Sequence, residues 1–509
     1  MRSTFMGLET SKRGLYTQQS ALYTTGHNIS NANTLGYSRQ RVNMQATSGF
    51  PGVGMNAGTM PGFLGTGVEA GSIQRIRDGF VDKQFRDESN KLGYWESQTK
   101  AIAQMEDVLA EPSKYGLQQS LSDFWQSLQT LAANPENGGA RAVVVERGVA
   151  VADSFNYIHK SLKEIQKNLK TEIDVSTTQI NSVLKQIGEL NRQIAEVEPN
   201  GYLPNDLYDE RDRLLDELST YVPIEVSYEK TGGRALAIAE GTVTVSIKTD
   251  GKSIPVVRGK EAAEMELSFT GTDETSPFKQ LDIKGLDGGT LNISNMLDQG
   301  QLKSLINSYG TEDGKGLYPE MIDKLDLMAK EFAREFNKVH SQGFEKSGTE
   351  PGADFFGKLD ANGDFDADYD NITAGNIIIN SEIEADPNKV AASSEKDEVG
   401  NGKNAKNLGD VMFNNLKELG NNSVQSYLAG EIVGKLGVKG QQAVKMTENS
   451  MTLLGAVSNR RDSISSVSLD EEMTDMIRFQ QAYNASARMV TVMDETLDKI
   501  INGMGVVGR

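Results

Sequence analysis

Leucine or isoleucine returns every seventh residue at Leu8, Leu15, Leu22 and Ile29, and this spacing constrains the fold more than any other feature of the chain. The far end repeats it more fully. Leu469, Met476, Tyr483, Val490, Leu497 and Met504 form one series, and Phe479, Met493 and Ile500 supply its companion position. A seven-residue apolar period draws one narrow stripe along a helix. All 12 prolines lie between positions 51 and 387, so nothing interrupts a long helix at either end. A helix with one thin stripe is marginal alone and gains stability from a partner. Such stripes pack either in a private core or across subunits; their place at the two ends, among small and amide residues, favours assembly. "SLDE" marks the start of the last helix, with the Ser468 hydroxyl expected to accept from the Glu471 backbone N–H.

Between the ends the period changes twice. Residues 155–197 read as a long helix with Leu162, Leu169, Val183, Leu190 and Val197 in one frame and Ile173, Ile180, Ile187 and Ile194 in another, stopped by "EPNG". "PNDLYDERDRLLDELS" is a shorter helix capped by Asn205, with Asp206 at its positive dipole end and Leu207, Leu214 and Leu218 facing inward. Another covers 320–340, with Ile322, Leu325, Ala329, Phe332, Phe336 and Val339 on one face. From 224 to about 295 the period is two: Val243, Val245 and Ile247 alternate before an Asp250–Gly251 turn, and Met265, Leu267 and Phe269 repeat the pattern. A second irregular or β-rich stretch runs from 343 to 386. Residues 394–409 read as a polar loop, and helix resumes near Leu416.

Composition removes several chemistries. The chain lacks cysteine, which excludes a thiol nucleophile, disulfides and cysteine-ligated zinc, and three scattered histidines leave little for another transition metal. A net charge of −19 argues against nucleic acid as a partner. No 18-residue apolar run suggests membrane insertion, and "MRSTFMGLETSKRGLY" lacks the apolar core of a cleaved signal peptide.

The remaining candidates have ordinary readings. "DANGDFDADYDN" (360–371) alternates carboxylates as a calcium loop would, but Phe365 stands where an EF-hand needs glycine and Asn371 where it needs glutamate; a solvated acidic turn is expected. "GFLGTGVEAG" lacks the lysine of a phosphate loop and leads into a strand. Asp209, Glu210, Asp212, Asp216 and Glu217 interleave with Arg211 and Arg213, which reads as a solvated, salt-paired face with Asp209 and Arg213 as an i,i+4 pair. His27, His159 and His340 have no catalytic context, and no cofactor is expected.

"NISNANTLGYSRQ" (28–40), "GTGVEAGSIQRIRDGFVDKQF", "PNDLYDERDRLLDELS", "EFAREFNKVHSQGF" followed by "ADFF", and "SLDEEMTDMIRFQQAYNASARMV" together resemble the rod, hook and junction axial proteins of the bacterial flagellum. The first motif, carried here by Asn28, Asn31, Asn33, Gly36, Tyr37, Arg39 and Gln40, is shared across that family; the others in this order point to its hook–filament junction members. The inserted β-rich stretches carry little of the resemblance beyond "ADFF".

The resemblance implies a non-enzymatic structural protein that joins hook to filament, exported through the flagellum's own channel without a cleaved signal. It implies a homo-oligomeric ring or tube, with the hook protein and a second junction protein or filament subunit as neighbours and an export chaperone on the C-terminal segment. The expected fold is multidomain α+β. Residues 1–60 with 465–509 form a terminal coiled coil, 61–223 with 299–342 and 410–464 a helical body, 224–298 a β-rich outer domain, and 343–409 a second irregular insertion. The expected assembly interface is the set of stripe residues named above. Asn28, Asn31 and Asn33 are expected to end the first helix and Gly36 to permit the turn. Two alternatives stay open: a hook or distal-rod protein, and a secreted surface enzyme or glycan-binding protein built on the β-rich domains.

Overall fold

The computed structural model describes residues 5–50, 65–109, 116–251, 253–292, 295–360 and 363–503. The chain ends form α1 (Met6–Ser30) and α12 (Leu469–Asp498), which pack on one another, and a hairpin of β1 (Gln40–Ala46) and β2 (Val68–Arg75) lies against α1. The architecture is multidomain α+β.

The body is built on α4 (Gly138–Val197), a 60-residue helix. It starts earlier than the apolar frames suggested, because Asn137 caps it by accepting from the Gly139 N–H at 2.9 Å and the glycine-rich first turns carry little pattern. The stop at "EPNG" is a turn of 3-10 helix ending at Gly201, whose φ is +86°. Around α4 pack α2 (Gly79–Leu109), α3 (Leu117–Ala133), α5 (Asn205–Tyr221), α6 (Gln301–Tyr309) and α7 (Leu317–His340). The inward face of α7 buries Ile322, Leu325, Ala329, Phe332 and Phe336, and Phe332, Phe336, Phe355 and Phe356 cluster with Phe124 of α3.

Residues 224–292 hold two small antiparallel sheets. One orders β3 (Ile224–Glu229), β4 (Thr242–Ile247), β5 (Ile254–Arg258) and β6 (Glu261–Ala262); the other orders β7 (Glu264–Phe269), β8 (Phe278–Lys284) and β9 (Gly289–Asn292). Val243, Val245 and Ile247 are buried, as their alternation requires. Beyond α7 come β10 (Phe356–Leu359), β11 (Phe365–Asp366) and β12 (Ile378–Ile379), in the order β11-β10-β12, with the short α8 (Ser381–Ala385). The expected polar loop at 394–409 instead ends in α9 (Lys403–Asp410), which packs on α3 and buries Leu408. After α10 (Val424–Tyr427) a π-helical turn leads into α11 (Lys435–Ser465), which lies along α2.

Side-chain amides on α4 hold both insertions. Asn181 exchanges both of its hydrogen bonds with the Met265 backbone, each at 2.8 Å. Asn191 does the same with Val243, at 2.9 and 3.0 Å, and Asn156 donates to the Ile377 carbonyl at 2.9 Å. Each amide completes the pairing of a backbone group that would otherwise be left open.

Two expected caps are absent. The Ser468 side chain makes no capping bond, and the Glu472 N–H reaches only the Ser468 carbonyl as the first turn of α12. Asn205 is the first residue inside α5 rather than its cap; its amide donates to the Ile73 carbonyl at 2.9 Å and to Gln40 Oε1 at 3.2 Å. Local spacing suits both residues as caps, and for Asn205 a tertiary partner wins.

Candidate functional site

The two ends run antiparallel, and their register is visible in three levels seven residues apart or a multiple of it. A Cβ on Gly7 would stand 3.0 Å from Met493 Sδ, one on Gly14 would stand 3.3 Å from Ser486 Oγ, and Asn28 Nδ2 donates to Glu472 Oε2 at 3.1 Å. At these levels α1 meets α12 through small and amide residues one position before the leucine series. Small residues let the two backbones come together where leucine would hold them apart.

Leu8, Leu15, Leu22 and Ile29 stand half-buried on α1. On α12, Met476, Phe479, Tyr483, Val490 and Met493 are half-buried and Leu497 is buried, while Leu469 is exposed, as is Ile500 just beyond the helix. Met504 lies outside the described residues. A further apolar row remains open to solvent: Tyr23 is 75% exposed, Met473 50%, Ile477 60% and Val492 50%. These four side chains leave apolar surface of the helix pair in contact with water.

The segment after α1 is tied to both chain ends and to the body. Asn31 caps α1, its N–H and Nδ2 both donating to the His27 carbonyl, and Gly36 adopts φ +82°. Asn33 is exposed. Asn28 does more than end a helix. It is fully buried, its Nδ2 donates to the Gln40 carbonyl at 2.8 Å as well as to Glu472, and its Oδ1 accepts from the Gln40 N–H at 3.0 Å and the Tyr37 hydroxyl at 2.8 Å. Every donor and acceptor position of that amide is used. The Tyr37 oxygen in turn accepts from His27 Nδ1 at 2.9 Å, so His27 is part of the cluster. Burial, then the charge of Asp206, raises the Tyr37 hydroxyl pKa and keeps it a neutral donor. Arg39 Nε reaches Glu472 and its Nη1 reaches Glu471, both at 2.6 Å, while its N–H donates to the Ser465 carbonyl. Ser38 N–H donates to Asp209 and Gln40 Nε2 to Asp206, which binds the same loop to α5.

Behind that loop the α5 charges are buried, contrary to the solvated face expected. Asp212 sits between Arg75 at 2.9 Å, Arg77 at 2.8 Å and Arg86 at 3.2 Å; Asp209 pairs with Arg75 at 2.7 Å, not with Arg213. Only the outer residues behave as predicted, Arg213 pairing with Glu210 and Glu217. Asp216 takes both Arg86 and Arg461 of α11 at 2.7 Å, and Arg461 also reaches Asp82 at 3.2 Å. Burial opposes the Asp212 charge, but Arg77, Arg75 and Arg86 outweigh it and hold the carboxyl well below the usual range. The cluster joins the end of β2, α2, α5 and the end of α11 where the paired ends meet the body. The i,i+4 spacing of α5 gave no hint of burial; the signal lay in the arginines of "QRIRDGFVDKQFR".

The other singled-out residues are structural. His340 is fully buried, its Nδ1 facing the Ala353 carbonyl and its Nε2 accepting from the Ala391 N–H at 2.9 Å. His159 lies 3.8 Å from Asp326. In the acidic stretch, Asp364 N–H donates to Asp360 Oδ1, while Asp366 and Asp370 pair with Lys358 and Lys330. Among the described residues no group of three or more histidine or acidic side chains is placed to hold a metal, and no helix is long and apolar enough to cross a membrane.

A family model described as the flagellar hook-associated protein FlgK helical domain matches residues 102–356, and one described as the flagellar basal body rod FlgEFG protein C-terminal matches 461–503. The flagellar hook-associated protein 1 of Bacillus subtilis (strain 168) is 46% identical, covering 100% of both chains. That of Salmonella typhimurium is 25% identical over 96% of this chain and 98% of its own. The structure of the flagellar hook junction protein FlgK from Burkholderia pseudomallei shares the fold, with a TM-score of 0.60 at 14% identity over 75% of this chain and 100% of that one. The paired ends, the hairpin beside them and the long-helix body are thus those of an axial component of the bacterial flagellum. The chain belongs to the flagellar hook-associated protein 1 family.

Proposed function

We propose that this chain is the structural junction between hook and filament, and that its α1–α12 pair is the part that builds the assembly. The observation that carries this reading is the open apolar row at Tyr23, Met473, Ile477 and Val492 on a pair whose own seam is only half-buried. Covering each of those side chains contributes about 1.5–3 kcal/mol before ordering costs, so a ring of repeated contacts offsets the entropy of fixing the ends. The names of the relatives and the C-terminal rod-family match support the same reading.

On this reading the protein forms a homo-oligomeric ring or tube between the hook protein and a second junction protein or filament subunit. The stripe residues from Leu8 to Ile29 and from Leu469 to Ile500 face that assembly. The paired ends, the helical body and the two insertions act as separate domains, and no turnover is involved. The chain leaves the cell unfolded through the flagellar channel, with a chaperone on its C-terminal segment. Labelling intact flagella with an antibody to the β3–β9 region tests this: label confined to the boundary of hook and filament is expected. Label along the hook or at the distal rod would overturn it in favour of the related axial roles.

A further inference from the structure

Asn28 is fully buried and has one hydrogen-bond partner from the opposite end of the chain, Glu472, 444 residues away. Glu472 is itself only 2% exposed and is the acidic member of the first turn of α12 that turns inward. It accepts from Asn28 with one oxygen and from Arg39 with the other. The remaining three bonds of the Asn28 amide go to Tyr37 and Gln40 in the second half of the loop, where Ser38 and Gln40 also carry the contacts to Asp209 and Asp206 of α5. Removing α12 takes away the acceptor of one Asn28 side-chain N–H and both carboxylates that Arg39 reaches.

We propose that Asn28, Arg39 and Glu472 form a latch that makes closure of the 31–40 loop, and its attachment to α5, conditional on the docking of α12. The two ends and the body then lock together as one event. This deepens the assembly reading by naming what closes the terminal pair, and its test is made on the free chain, so it stands or fails apart from where the protein sits on a flagellum.

The test is amide hydrogen exchange on the full-length protein. In Glu472→Ala the amides of Ser38 and Gln40 are expected to exchange at least about tenfold faster, with those of α4 unchanged. Coupling is reciprocal, so Asn28→Ala is expected to speed exchange at 472–476. Glu472→Gln keeps an acceptor for Asn28 and loses the charge facing Arg39, so its effect is expected to fall between wild type and Glu472→Ala. In the double variant the effects are expected to fall short of their sum, as for residues acting through one contact. Unchanged exchange at Ser38 and Gln40 in Glu472→Ala, or strictly additive effects, would overturn the latch.

Discussion

Gly14 of α1 and Ser486 of α12 meet with almost nothing between them: a Cβ on the glycine would stand 3.3 Å from the serine Oγ. A leucine at position 14 would press on that serine side chain. Gly14→Leu is expected to force the helices apart, costing about 1–3 kcal/mol at the pair. Faster amide exchange along α12, with the body unaffected, would register it; unchanged exchange would mean that the pair does not depend on this close approach.

Leu22→Asp and Leu497→Asp put a carboxylate on the seam, at a half-buried and a buried position respectively. Both variants are expected to block filament growth while Val243 and Val245 of β4 stay protected from exchange. Normal filaments from either strain would remove the seam from the assembly reading.

The open row separates assembly from folding. Met473→Ser with Ile477→Ser removes apolar surface already in water, so the free protein is expected to keep its denaturation midpoint within about 0.5 kcal/mol. Cells carrying it are expected to lose filaments or shed them under shear. A large loss of monomer stability would show that these side chains are not free.

Asp212→Asn leaves Arg75, Arg77 and Arg86 facing one another without their shared carboxylate. Breaking one partner of a buried network costs about 3–5 kcal/mol, which urea titration would read. Because the folded carboxyl is held below its ordinary value of 3.8, its contribution is present above that pH and is lost as the pH falls below it.

His340 has the other acid response. Burial pushes its imidazole down to about 4 from an ordinary 6.5, and its Nε2 already accepts from the Ala391 N–H. Protonation is therefore opposed in the folded chain and free in the unfolded one. The stability held above pH 6.5 is expected to fall by up to about 3 kcal/mol as the pH drops from 6.5 toward 4. Denaturant titrations across that range, beside an NMR titration of the imidazole, would show it; a His340 midpoint near 6.5 would contradict it.

What the sequence disclosed follows from how locally each feature is written. The terminal helices, α4 and its stop, α7 and the alternating strand β4 all carry a periodicity that any neighbour in sequence reports. The row of α1 formed by Gly7, Gly14 and Asn28 is invisible in the pattern, because these residues add no apolar signal beside Leu8, Leu15 and Leu22. The burial of Asp209 and Asp212 is hidden for a different reason. Their spacing suits a solvated helix equally well, and the arginines that surround them come from more than 100 residues earlier in the chain. Asn28 in its local sequence reads as a helix terminator, because that is what asparagine does locally, and its Glu472 partner lies at the opposite end of the chain.

Asn156, Asn181 and Asn191 make α4 a ruler. The second insertion is held at the first of these residues and the two small sheets at the others, on one unbroken rod of about 90 Å. The spacing between the outward-facing parts is thus counted in helical residues. Inserting or deleting one between Asn156 and Asn181 would shift one insertion by about 1.5 Å along the rod and swing it by about 100° around it. A seven-residue step would bring the facing back, near two full turns, but would lengthen the rod by about 10 Å.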